Sequence, residues 1–127
     1  MSTNETTVNQ KPQFEIIQGS TPTITCSIPD TLDMELIVNI WLFVSQNDGY
    51  KKDKLIIDRK ADSITKNLEN RTIQTTLTQE ETLALDPNKS AVIQIQFLME
   101  DASSIPSVPI WFKVGRNYKG QVIDDAN

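Results

Sequence analysis

Residues 90–99 read Ser-Ala-Val-Ile-Gln-Ile-Gln-Phe-Leu-Met, and their alternation decides the fold. Ala91, Ile93, Ile95, Phe97 and Met99 fall on one face, and Val92, Gln94, Gln96 and Leu98 on the other. Successive side chains of a strand point to opposite sides, so a period of two predicts a strand with one apolar face. Upstream, Arg71–Thr78 repeats the pattern, with Ile73, Thr75 and Leu77 facing one way and Thr72, Gln74 and Thr76 the other. Between these strands Thr78-Gln79-Glu80-Glu81 has the spacing of a capping box, an N-cap hydroxyl with an acid three residues on. It predicts a turn or two of helix carrying Leu83 and Leu85, ended by Asp86-Pro87-Asn88.

The N-terminal half follows the same period. Phe14 and Ile16 flank Glu15, and beyond Gly19-Ser20 the residues Ile24, Cys26 and Ile28 alternate with Thr23, Thr25 and Ser27 up to Pro29-Asp30. Leu36–Val44 is more continuously apolar and reads as a strand covered on both faces. Asn47-Asp48-Gly49 is a hairpin signal, since an Asp-Gly pair tolerates positive φ, and Lys54–Asp58 returns as the partner strand. At the other end Pro106 and Pro109 bracket a last strand, Ile110–Val114. Proline lacks the ladder N–H and so marks a strand start or a sheet edge. Tyr118, a Lys119-Gly120 turn and Val122-Ile123 follow. About seven short strands with one short helix predict an all-β, immunoglobulin-like antiparallel β-sandwich.

The 127 residues make about one domain, and no internal repeat is present. Residues 1–12 hold Val8 as their only branched aliphatic, too little apolar surface to offset the entropy of ordering. They are expected to form a flexible polar arm ahead of a sandwich spanning 13–123, with 124–127 an acidic tail. No basic start precedes an apolar run, and no window approaches the roughly 20 residues that cross a bilayer. The expectation is a chain synthesised in the cytoplasm, without a membrane partner.

Composition excludes several classes of function. Net charge is −5, with 12 basic residues scattered among 17 acidic ones, which argues against nucleic acid as a partner. There is no His, the commonest general base and metal ligand. The single cysteine, Cys26, has no partner for an intrachain disulfide and sits among Ile24 and Ile28, where a packed thiol is expected. Glu80-Glu81, Glu100-Asp101 and Asp124-Asp125 lack the alternating oxygen ligands and glycine of a calcium loop. The three Asn-x-Ser/Thr sequons at Asn4, Asn70 and Asn88 read as chance matches. Together these features point to a protein that is not an enzyme and carries no cofactor and no metal. Trp41 is expected in the core, and Trp111, beside Pro109, at an intersubunit contact.

Four stretches carry a resemblance: Ile17-Gln18-Gly19-Ser20-Thr21-Pro22-Thr23-Ile24, Leu77-Thr78-Gln79-Glu80-Glu81-Thr82-Leu83, Val92-Ile93-Gln94-Ile95-Gln96 and Lys119-Gly120-Gln121-Val122-Ile123. In this order, over about residues 14–123, they resemble small virion structural proteins of tailed bacteriophages of Gram-positive hosts. The layout is similar to the immunoglobulin-like N-terminal domain of phage upper-baseplate proteins. Ser20 stands where that pattern prefers Asp, and the polar arm is longer. The resemblance implies a virion component that anchors or decorates the particle (tail, baseplate or capsid), oligomeric and bound to other virion proteins.

On that expectation the contacts are made by the arm and by Pro109, Ile110, Trp111, Phe112, Tyr118, Val122 and Ile123. Deleting residues 1–12 should then impair incorporation into particles and leave the melting of the isolated fold unchanged. The alternative is a carbohydrate- or host-surface-binding sandwich, which two Trp and two Tyr supply thinly with aromatic platforms.

Overall fold

A computed structural model describes residues 14–47 and 53–123 of the chain. The expected arm and acidic tail lie outside the described residues, as does the Asp48-Gly49 turn.

Nine strands form two sheets. They are β1 (Phe14–Ile17), β2 (Thr23–Ser27), β3 (Ile37–Asn47), β4 (Asp53–Lys60), β5 (Thr65–Asn67), β6 (Thr72–Thr76), β7 (Ala91–Met99), β8 (Ser104–Pro106) and β9 (Ile110–Gly115). The larger sheet runs β1-β9-β7-β3-β4, with β8 also on β7, and the smaller runs β2-β6-β5. The sandwich is immunoglobulin-like in strand order, a long central pair β3–β7 facing a three-stranded layer. Seven strands match the sequence reading. The two additional ones, β5 and β8, are three residues long and wholly exposed, so no apolar alternation announces them. One pairing departs from the antiparallel rule: β1 lies parallel to β9.

The core is built from the predicted faces. Ala91, Ile93, Ile95, Phe97 and Met99 of β7 are buried, as are Ile73, Thr75 and Leu77, and Ile24, Cys26 and Ile28. Two expectations need correction. Strand β3 is not covered on both sides: Ile40, Leu42 and Val44 point inward while Trp41 and Phe43 are half-buried on the outer face. Trp41 is therefore not a core residue, and its indole Nε1 donates to Asp58 Oδ1 at 2.7 Å. The physical reason is parity: Trp41 falls between two core positions, and among the described residues no second layer covers the outer face of this sheet.

The helical turn α1 (Gln79–Leu83) has the expected capping box, Thr78 and Glu81 each accepting from the other's backbone N–H. Its buried Thr82 ties one end of the sandwich together. The hydroxyl donates to Ser20 O at 2.8 Å and accepts from Gly19 N at 2.9 Å. Gly19 has φ +82°, and a Cβ there would meet Asn117 Nδ2 at 2.8 Å, so only glycine fits. Gln18 reaches Leu85 O and accepts from Asn117 N. Gln79 clasps the backbone of Ile123 on both sides, at 2.9 and 2.7 Å. Three of the four stretches that carry the family resemblance thus converge on one hydrogen-bonded end, where they do structural work.

Candidate functional site

On one flank the two sheets are joined by chain. Residues 61–64 cross from β4 to β5, with Ala61 buried and Ile64 packed on the core. Ala61 N donates to Ile40 O, Thr75 Oγ1 to Ser63 O, and Lys66 Nζ to Met34 O. Arg59 of β4 makes a two-pronged ion pair with Glu81 and also donates to Thr76 O, spanning both layers. The Arg59 guanidinium, helped by the Thr78 backbone N–H, holds the Glu81 carboxyl below the usual carboxylate range.

The opposite flank is open. Strand β2 is the outer strand of the smaller sheet, and among the described residues nothing pairs with its free side. Facing it across the gap are β1, β8 and the start of β9. Between them runs a cleft of about 650 Å³. Its walls include Ile24, Cys26, Ile93, Ile95 and Phe97, core residues each no more than 8% exposed, with the exposed Val108 at its rim. Among the described residues, Glu15 is the only charged one that lines it. Burial pushes the Cys26 thiol up to about 11, leaving it a neutral wall residue rather than a nucleophile.

Two sequence features make this edge. Pro22 and Pro29 bracket β2, and residues 16–29 carry no charged side chain. Free edges are normally blunted by Lys, by inward charges or by very short strands. β2 carries no charge, and of the devices that blunt an edge it has only the flanking prolines Pro22 and Pro29, whereas β4 carries Lys54, Asp58, Arg59 and Lys60 and β5 carries Lys66.

The far wall depends on a bulge. β8 pairs with β7 in one register, Phe97 opposite Ile105, and β9 in another, Ile93 opposite Ile110. The extra residue is absorbed at Ser107–Pro109. There the Ser107 N donates to Ile95 O at 2.7 Å, while the return bond from Ile95 N goes to the Ser107 hydroxyl at 3.1 Å. The Ser107 carbonyl is taken by Gln94 Nε2 at 2.7 Å. A side-chain oxygen has replaced a main-chain acceptor in the ladder.

The expected contact residues separate into two places. Pro109 and Ile110 are exposed at the bulge, and Ile110 lines the cleft; Trp111 is half-buried beside it. Tyr118, Val122 and Ile123 are exposed but belong to the C-terminal segment and do not line the cleft. Phe112 must be corrected: it is fully buried, its ring stacked on Phe14 with centroids 5.3 Å apart and planes 7° from parallel. The pairing of β1 with β9 covers it. Sequence reasoning missed the free side of β2, with Ile105 and Val108 opposite, although the charge-free stretch between Glu15 and Asp30 was the available signal.

Compared with known proteins, the chain matches no family model and no curated sequence. Among the described residues no group of three or more Cys, Asp or Glu side chains is placed to hold a metal ion. None of their helices is long and apolar enough to cross a membrane.

Proposed function

We propose that the protein is a structural subunit of a tailed-phage virion, which anchors or decorates the particle by docking to neighbouring subunits and performs no catalysis. The single observation that carries the docking is the charge-free, proline-bracketed edge of β2 beside an apolar cleft floored by core side chains. An unpaired strand presents N–H and C=O groups that can extend a partner's sheet, and a neighbouring apolar groove adds affinity and register. Exposed Ile105, Val108 and Ile110 give the same flank an apolar rim. The phage setting is supported by the four-motif resemblance, and the partners on this reading are other virion proteins, in the assembled particle.

Mass spectrometry of purified particles from the producing host tests the reading. The expected result is this chain at a fixed ratio to the other structural proteins, retained through a density gradient. Recovery only in the soluble fraction, with none in particles, would overturn it.

A further inference from the structure

We propose that residues 8–13 of this chain lie in its own cleft as a strap in line with β1, closing the docking edge until a partner lifts them. The proposal rests on the assembly reading above for its partner and adds the control of access to that site. The register of the larger sheet puts the cleft where β1 stops. Phe14 pairs with Phe112, and Phe112 with Ala91. Backward from there the edge continues through Ile110, opposite Ile93, to Ile105, opposite Phe97. Ile93, Ile95 and Phe97 are the β7 residues that floor the cleft. Ala91 to Phe97 is about 20 Å of strand, the length that residues 8–13 cover when extended.

The alternation of β1 also suits the segment. Ile16 is buried and Phe14 stacks on Phe112, so continuing their period puts Pro12, Gln10 and Val8 toward the cleft and Gln13, Lys11 and Asn9 toward solvent. The segment's one charge is then turned out and its one branched aliphatic in. Gln10, the polar residue on the inner side, has the unpaired main-chain groups of β2 to bond. Attachment selects this occupant. Phe14 itself lines the cleft, so the segment competes at an effective concentration on the order of millimolar, which a second copy does not reach in dilute solution. A free edge beside an apolar groove invites indiscriminate pairing, and a strap held by one aliphatic side chain prevents it while yielding to a partner's strand.

Binding of 1-anilinonaphthalene-8-sulfonate, a dye that fluoresces on exposed apolar surface, tests the strap on the full chain. Wild type should stay dark at low and high protein concentration alike. Val8→Asp, a charge on the inner side, should raise emission severalfold and lower the melting temperature by about 4 °C. Asn9→Asp, on the outer side, should change neither. Deleting residues 1–12 should act at least as strongly as Val8→Asp, whereas a freely projecting arm leaves emission and melting unchanged. Emission from wild type at every concentration would show an empty cleft, and emission only on dilution would mean that a neighbour's segment fills it. Equal effects of Val8→Asp and Asn9→Asp, or none from either, would remove the inward-facing strap. Each of these outcomes overturns the proposal. A chain abundant in particles that binds the dye when free removes the strap and leaves the assembly reading standing; a dark chain absent from particles does the reverse.

Discussion

The two flanks of the sandwich hold the same pair of sheets in opposite ways. On the β4–β5 side a chain crossing, an ion pair and several side-chain bonds seal the layers, and the exposed strands carry charge. On the β2–β8 side, among the described residues, no chain crosses alongside the strands, the edge is uncharged, and core residues line an open cleft. On the proposed reading, stability and docking fall to different sides of one small body. A sealed flank holds the core closed without help, and an unsealed one keeps backbone groups and apolar surface available for another chain.

Substitutions on each side should reveal this division. Ile40 is 1% exposed and carries the main-chain contact to Ala61 on the sealed side. Ile40→Ala removes buried methyl groups and leaves a cavity, and urea unfolding should show a loss of about 3–4 kcal/mol. A loss below about 1 kcal/mol would mean the sealed flank is as yielding as the open one.

Arg59→Met keeps the volume and removes the two-pronged bond to Glu81, for an expected loss of about 1–2 kcal/mol near neutral pH. The pH dependence gives a sharper reading. The Glu81 carboxyl is depressed in the folded state, so its contribution is complete above the unfolded value of about 4.3. It is lost as pH falls through the lower folded value. Wild type should therefore lose stability between about pH 5 and 3 more steeply than Arg59→Met, and equal slopes would remove Arg59 from the seal.

The smallest effect belongs to the open side. Val108 is 79% exposed, and Val108→Ser should change the unfolding of isolated copies by no more than about 0.5 kcal/mol. A larger loss in dilute solution would show that the rim supports its own fold.

The core faces were more legible in sequence than either flank. Alternation in Arg71–Thr78 and Ser90–Met99 placed the core residues on the correct faces, and Thr78 with Glu81 marked the helical turn. These signals are local, requiring only a period or a fixed spacing. Trp41 was misplaced because a nearly continuous apolar run hides its parity, and the half-buried outer face became visible only with the layers in place. Phe112 was misplaced because Pro109 marked an edge, while the parallel pairing that covers it joins residues almost a hundred positions apart. The cleft was invisible for a deeper reason. It is defined by which strands do not pair, and that depends on the whole topology rather than on any one segment.

The borrowed hydroxyl of Ser107 resets the phase of the chain. Upstream of it the odd-numbered Ile105 shares a face with Phe97, and downstream the even-numbered Ile110 shares that face with Ile93. Loss of one residue from the Ser107–Pro109 stretch would remove the bulge and leave both isoleucines in step on a continuous ladder, whereas loss of two would turn one of them outward. The length of this short detour, more than the identity of its residues, sets which side chains the wall presents.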